Sequence, residues 1–383
     1  MRIFIVSRGY PTKEEPQWGC FEKDQAIALK QLGHEIVFLS VDRRFNIKKI
    51  TGRESYRYDE TFHVYNYRSL LPGSILRKIS VKLYCAYYNR ILLSLFKKAV
   101  KAHGTPDVIF AHYLSNIAIS YKLKDKYNIP IVGMEHWSVI NRPVLPKFAL
   151  SLGKIAYPKV DKLLSVSESL SVSIEKHFNQ KSTVVNNMVS DDFFIERSSR
   201  SSNKDSCFHF ISVGSLFPIK GFDLLIDAFY KSGLSKKNCK LTIIGGGQEQ
   251  VKLQSQIERL SLQNNVFLVG RKTKKEIVSY LQNSNVFVLS SHSETFSVVC
   301  IEAMALGLPV IATACGGPEE FVTEEVGMLV KTSDVDALAL AMNEMYENAH
   351  EYNQIKIADF CKSNFAPKVI AEKLIMNFEE VLK

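Results

Sequence analysis

Two carboxylates with seven residues between them, Glu294 and Glu302, bracket the apolar segment SETFSVVCIEAMALGLPV (Ser293–Val310) behind the run NVFVLS. Glu302 is the only Asp, Glu, Lys, Arg or His between Thr295 and Thr313. Burying a lone carboxylate is costly unless donors reach it. The two vicinal hydroxyls of a ribose are natural donors, and nearby backbone is the structural alternative. A helix starting near Ser297 offers free N–H groups and a positive dipole end suited to phosphate. Glu294, just outside that start, is expected to point into the same cleft. A second constellation is VGSLFPIKGF, in which Gly214 follows a strand and Lys220-Gly221 opens a helix. A cation beside a helix N-terminus is a phosphate-binding arrangement; a solvated loop lysine and a turn glycine are the plain alternative. In IIGGGQEQ, Gly245 and Gly247 fit the dinucleotide fingerprint but Gln250 does not, and the next strand ends in Gly270-Arg271 with no acid for a ribose. That segment reads as a tight turn near a ligand.

In the first half, His136 (in EHWS) and His112 each follow an apolar run, at the strand end where ligands gather in open α/β sheets. Gly19, between the first strand and the first helix, would let backbone approach a phosphate. Other polar residues have plainer uses. Asp334 and Asp336 make a DxD pattern, but it opens DALALAMNEM and reads as a helix cap. Asp191-Asp192 has no His or Cys nearby, and His34, His177 and His350 read as surface or core residues. The seven cysteines show no CxxC pair, which argues against a disulfide framework and a zinc site and for a reducing compartment.

These residues need strand ends to hold them, and the chain supplies the pattern. RIFIVS, HEIVFLS, DVIFAH, PIVGME, DKLLSV and STVVNN are short apolar runs with helical segments between them. ETFHVYNY alternates as a strand or hairpin arm would, and a long helical stretch, as one helix or as two, is expected over about Ser74–His103. After the apolar-free stretch Ser198–Ser206, read as a linker, the alternation restarts with FHFISVG, LTIIGG, NVFLVG, NVFVLS, PVIAT and GMLV. Repeated strand–helix units argue parallel, doubly wound sheets. The expectation is two Rossmann-like domains facing a cleft, 1–188 and 189–365, with a helix over 366–383 crossing back to the first.

Length and composition suit this: 383 residues, 46% hydrophobic and 23% charged, exclude a disordered chain, a collagen and a coiled coil. No apolar run approaches the ~20 residues of a membrane span. The N-terminus lacks a signal-peptide core, so a cytoplasmic protein is expected. The charge is uneven. Up to Ser190 there are 29 Lys and Arg against 15 Asp and Glu; beyond it, 20 against 24. Thr61–Pro106 has no acid at all but carries Arg68, Arg77, Lys78, Lys82, Arg90, Lys97, Lys98 and Lys101. A basic half of this kind is expected to meet an anionic surface or acceptor, a membrane face rather than nucleic acid, since no RNP-like or zinc-finger motif is present.

Taken together, the segments resemble the family-4 retaining glycosyltransferases of the GT-B fold over nearly the whole chain. The resemblance rests on Gly214…Lys220-Gly221, IIGGGQE, the Glu294/Glu302 pair, GLPVIAT and GGPEE, and more loosely on GHEI, the EH pair and DKLLSVS. It implies a nucleotide-diphosphate-sugar donor held by the C-terminal domain and a glycan or lipid-linked acceptor, as in surface polysaccharide assembly. Lys220 would hold the diphosphate, Glu302 the ribose and Glu294 the donor sugar, with Thr295, Phe296 and Ser297 supplying N–H groups. His136 would lie near the reacting sugar, as catalytic partner to Lys220 and Glu294. Gly19 matches one glycine of the family's first loop, but Trp18 stands where a second is usual. Ser215 stands where members often carry Arg, which leaves Arg271 as a substitute cation. Neither a cofactor nor a metal is implied. A nucleotide-sugar epimerase of the same architecture and a non-catalytic nucleotide-sugar-binding protein are the competing readings.

Overall fold

The computed structural model describes residues 1–12, 15, 17–44, 54–59, 62–69, 73–195 and 207–383. The stretch read as a linker, Ser198–Ser206, lies outside them. The chain divides into two units, Met1–Met188 with Pro367–Lys383, and Val189–Ala366.

The first unit is built on β1 (Arg2–Ser7), β2 (Glu35–Asp42), β3 (Glu54–Asp59), β4 (Phe62–Arg68), β5 (Val108–His112), β6 (Ile131–Glu135), β7 (Lys162–Ser165) and β8 (Thr183–Val184). They lie in the order β3-β4-β2-β1-β5-β6-β7-β8. Every pairing is parallel except the β3–β4 hairpin. Ile3, Phe4, Ile5 and Val6 are fully buried, as a strand covered on both faces requires. The helices are α1 (Cys20–Gln31), α2 (Gly73–Ile79), α3 (Val81–His103), α4 (Leu114–Tyr127), α5 (Lys147–Ala156) and α6 (Glu168–Phe178).

Two elements differ in detail from the sequence expectation. The stretch over Ser74–His103, read as one helix or as two, is two, because extended Ser80 caps the second one, its hydroxyl accepting from Leu83 N–H at 3.4 Å. With the break in place, α3 is cleanly two-faced. Tyr84, Tyr88, Leu92, Leu95, Phe96 and Ala99 are buried, while Lys82, Arg90, Lys97 and Lys101 are exposed. The second difference is β3, whose ESYRYD is exposed along nearly its whole length and so has no apolar run to announce it.

In the second unit, β9 (Phe208–Val213), β10 (Cys239–Ile244), β11 (Val266–Leu268), β12 (Val286–Leu289), β13 (Val310–Thr313) and β14 (Gly327–Val330) form a parallel sheet ordered β11-β10-β9-β12-β13-β14. Its helices are α7 (Phe222–Lys231), α8 (Gln250–Arg259), α9 (Lys274–Gln282), α10 (Val298–Ala305), α11 (Val335–Asn348) and α12 (Gln354–Phe365). A last helix, α13 (Pro367–Leu382), returns to the first unit. There it packs on α1 and sets Phe378 5.0 Å from Phe110, edge to face.

Each sheet has one place where successive connections leave in opposite directions: between β1 and β5 in the first unit, and between β9 and β12 in the second. The carboxyl ends of these neighbours form the crevices where open α/β sheets bind ligands.

Because Phe378 is fully buried, Phe378→Ala is expected to cost about 3–5 kcal/mol. Denaturant unfolding of the full chain measures this, and a loss below about 1 kcal/mol would show that α13 contributes little to the first unit.

Candidate active site

The second unit's crevice is assembled from two loops that only glycine lets meet. Gly221, at φ 60°, caps α7, and a Cβ on it would stand 2.2 Å from the Ser290 carbonyl oxygen. The loop after β9 therefore lies on the loop after β12. Ser290 Oγ donates to the Lys220 carbonyl at 3.0 Å, and His292 N–H donates to that of Ile219 at 2.8 Å. This brings Lys220 Nζ to 2.5 Å from Glu294 Oε1, and Ser291 Oγ donates to the same oxygen at 2.7 Å. The pair is mostly sheltered, with side chains 25% and 12% exposed. Glu294 is fixed from behind by its own N–H, which donates to Cys315 O at 2.9 Å.

Three further loops close on this pair. Gly245 (φ 156°) lies so near Gly214 that a Cβ would stand 1.8 Å from the Gly214 oxygen, which stacks the loop after β10 on the loop after β9. Arg271 lies over that glycine loop, since a Cβ on Gly246 would be 3.0 Å from its Nε. Arg271 is exposed and makes no ion pair among the described residues, and Ser215 beside Gly214 is exposed too. Behind β12, Phe296 is buried between Phe321 and Phe365, with ring centroids 5.2 and 5.6 Å away, and this anchors the Thr295–Ser297 turn. Ser297 (φ 78°) caps α10 without a side-chain hydrogen bond, which leaves the first N–H groups open. Gly317 backs the turn; a Cβ on it would meet Phe296 Cα at 2.4 Å. Glu302, expected to be buried, is half-buried on α10 and engages a protein partner. Its charge helps burial push up the thiol pKa of Cys361 on α12. Asp334 is a cap: Oδ1 accepts from Ala337 N–H at 2.9 Å.

In the first unit, β5 ends in His112 and His136 directly follows β6, and His112 Nδ1 and His136 Nε2 are 3.0 Å apart. Burial drives the His112 pKa well below its ordinary value, helped by His136 and Arg8. Burial and then the Arg8 guanidinium take His136 down to about 3, opposed by Asn187. The two rings are therefore neutral, one donating to the other. Glu135 holds this corner. Its Oε1 accepts from the N–H groups of His136 (2.9 Å) and Trp137 (2.8 Å), and its Oε2 accepts from Leu114 N–H (2.9 Å) and the Tyr157 hydroxyl (2.6 Å). Burial raises the Glu135 pKa even so. Gly19 (φ 82°) caps α1 pressed against Gly9, where a Cβ would meet the Gly9 oxygen at 2.3 Å. Trp18 in turn covers Gly9.

Lys220, Glu294, Gly214, Gly245, Arg271 and the Thr295–Ser297 turn thus gather within one unit, while His136 and Gly19 belong to the other. Sequence reasoning missed Ser290, Ser291, Arg8 and Glu135. Serines in loops carry no signal of their own, and Glu135 was seen only as part of an EH pair. Among the described residues, no three His, Cys, Asp or Glu side chains gather as a metal site would need.

The model for glycosyltransferase family 4 matches residues 23–193, and the model for glycosyl transferases group 1 matches residues 194–359. An Anabaena protein solved in complex with UDP superposes with a TM-score of 0.73 at 17% identity, covering 99% of this chain and 100% of that one. The chain belongs to the family-4 glycosyltransferases of the GT-B fold. This glycosyltransferase is 25% identical to a putative teichuronic acid biosynthesis glycosyltransferase of Bacillus subtilis (strain 168), over 93% of this chain and 90% of that protein. It is also 36% identical to an uncharacterized glycosyltransferase of Methanocaldococcus jannaschii over 186 residues, spanning 46% of this chain and 45% of that protein.

The histidine pair gives the glycosyltransferase a pH signature. An unfolded chain protonates both imidazoles near pH 6.5, but the folded protein resists until far lower pH. Their depressed pKa values thus cost nothing above about pH 6.5, and stability is lost as the pH falls below it. The slope approaches about 1.4 kcal/mol per pH unit for each histidine. Denaturant unfolding at pH 7 and pH 5 should show the loss, and His112→Asn/His136→Asn should flatten it; an equal slope in that variant would assign the acid lability to other groups.

Proposed function

We propose that this glycosyltransferase moves a sugar, with retention of configuration and without a metal, from a nucleotide-diphosphate sugar to a glycan or lipid-linked acceptor. The observation that carries the reading is the Lys220–Glu294 pair at the β9/β12 crevice. An incoming diphosphate takes Lys220 from Glu294, which frees that carboxylate to accept the sugar's hydroxyls. Glu302 takes the ribose, the N–H groups of Thr295–Ser297 serve sugar and phosphate, and Gly214 and Gly245 let backbone come close. Arg271 supplies the second cation that Ser215 does not; in the first unit, Gly19 is assigned to a phosphate and His136 to the reacting sugar.

In the step itself, the bond from the anomeric carbon to the diphosphate oxygen breaks. The acceptor hydroxyl oxygen bonds to that carbon on the same face, and its proton passes to the leaving diphosphate. Negative charge grows on the β-phosphate, and Lys220 with the open end of α10 meets it. The UDP in the Anabaena structure supports a nucleotide donor, and the B. subtilis relative's name supports a role in surface polysaccharide.

Lys220→Ala should lower turnover about 10²–10³-fold while leaving the melting curve intact, measured as nucleoside diphosphate released from a panel of UDP- and GDP-sugars. Near-normal turnover in the variant would hand the charge to Arg271 or the backbone. A wild type that neither binds nor releases any nucleoside diphosphate would end the reading.

The same protein is proposed to sit on an anionic inner-leaflet surface. Ile75, Ile79 and Leu83 on α2 and α3 are 50%, 64% and 55% exposed, interleaved with Arg77, Lys78 and Lys82. Apolar residues set among cations are the pattern of an interfacial segment, and each basic residue near an anionic surface adds about 1 kcal/mol, screened by salt. Among the described residues no helix is long and apolar enough to cross a membrane. Sedimentation should show binding to anionic but not neutral vesicles, weakened by salt and by changing Lys78, Lys82, Lys97 and Lys101 to Gln. A wild type that ignores anionic vesicles at low salt makes the acceptor soluble.

A further inference from the structure

We propose that the first unit grips its acceptor by a phosphate group, in a cleft of about 260 Å³ at the β1/β5 crevice. The inference rests on the glycosyltransferase reading and names the chemistry of the acceptor. The cleft is lined by Arg8 after β1, Arg43 and Arg44 after β2, and Arg77 on α2, and among the described residues no Asp or Glu lines it.

Charge accounting shows which arginines are free for a ligand. Arg44 is committed: it pairs with Glu15 at 2.7 Å and Asp42 at 2.8 Å, and Arg68 shares both acids. Two acids balance two arginines there. Arg8 is balanced by fully buried Glu22 at 3.4 Å. Arg43 and Arg77 remain. Arg43 donates to Ser115 Oγ at 3.0 Å and Asn116 Oδ1 at 2.6 Å, and its guanidinium lies over the ring of Tyr88 at 5.0 Å. None of these partners carries a negative charge, and the Arg43 Nε is buried without a hydrogen bond. Arg77 makes no ion pair among the described residues. Arg43 is partly sheltered and Arg77 exposed, and neither has an acidic partner among the described residues; a sheltered cation without a counter-charge is costly, so the pair presents two positive charges to an anion.

The size of that surplus selects the ligand. A carboxylate carries one charge and is satisfied by a single guanidinium fork. A phosphate monoester carries about −1.5 to −2 at neutral pH and has three acceptor oxygens, which matches two arginines. Arg rather than Lys suits this role, because its planar fork fits phosphate geometry. The place is right for an acceptor as well. Trp137, next to His136, lines the cleft, and so does Tyr113, whose ring centroid is 4.8 Å from that of His136. A phosphate on Arg43 and Arg77 therefore puts the rest of its molecule beside the histidine assigned to the reacting sugar.

The cleft carries its own reporter. The chain's two tryptophans, Trp18 and Trp137, both line it. Intrinsic fluorescence of the full chain should change saturably with glucose 1-phosphate and with inorganic pyrophosphate, and not with glucose. Arg43→Gln and Arg77→Gln should each weaken this response at least tenfold. Lys220→Ala, in the other unit, should leave it unaltered, which separates the cleft from the donor's diphosphate site. Arg77 is exposed, so Arg77→Gln spares the fold even if Arg43→Gln does not. Phosphatidylcholine vesicles with and without phosphatidic acid distinguish a lipid headgroup from a free sugar phosphate; tighter binding of either source supports the phosphate. A flat response to every phosphate, an unchanged response in Arg77→Gln, or tighter binding of galacturonate than of glucose 1-phosphate overturns the proposal. UDP binding followed by calorimetry keeps the two readings apart. UDP bound with a silent cleft refutes the phosphate grip alone, whereas no nucleotide binding refutes the glycosyltransferase reading and leaves the cleft's titration to be judged by itself.

Discussion

A parallel sheet covered by helices on both faces has no polar surface along its strands, so chemistry is confined to the strand ends. Lys220, Glu294, Arg271, His112, His136, Arg8 and Arg43 obey that constraint, each lying at or just beyond a strand end. Ile3–Val6 and Val286–Val288 are fully buried, while the residues just beyond the strand ends carry charge or imidazole. In the second unit the loops at these ends must also lie on one another, and glycine is what permits it: Gly221 under Ser290, Gly245 on Gly214, Gly317 under Phe296. Side chains at these positions would push the loops apart and separate Lys220 from Glu294.

The two crevices handle their charged and titratable groups in opposite ways. In the second unit a cation and an anion neutralise each other, so neither charge is left uncompensated in a sheltered place. In the first, the titratable rings are kept neutral by burial, and the surplus charge resides on guanidinium groups that cannot lose their proton. The basic character of the N-terminal half is thus not only a diffuse surface property. Part of it is concentrated at a strand-end cleft, and part is spread over the exposed faces of α2 and α3.

The fold class was legible because doubly covered strands must be continuous apolar runs, and RIFIVS, LTIIGG and NVFVLS are such runs. What escaped was what burial does not encode. β3 is exposed and alternates Tyr with charge, and where the helical stretch breaks, at Ser80, depends on one extended residue inside a helical pattern. In the second unit the chemistry was readable because Lys220, Glu294 and the glycines fall in short, locally ordered motifs. The cleft of the first unit was not. Arg8, Arg43 and Arg77 come from three separate segments, and only the sheet order β4-β2-β1-β5 makes neighbours of them. Glu302 shows the converse: a lone acid in an apolar sequence reads as buried, yet its helical face leaves it partly exposed.

The return of α13 has a consequence for how the protein is made. Unit one is interrupted in the chain: its sheet and first six helices are synthesised first, but the helix that brings Phe378 to Phe110 emerges only after the whole of Val189–Ala366. The second unit is contiguous and has every one of its strands in hand while still tethered to the ribosome. Domains fold as units as they emerge, usually the N-terminal one first. Here the order of completion is reversed: the whole of the second unit's segment, Val189–Ala366, is synthesised before the helix that completes the first unit.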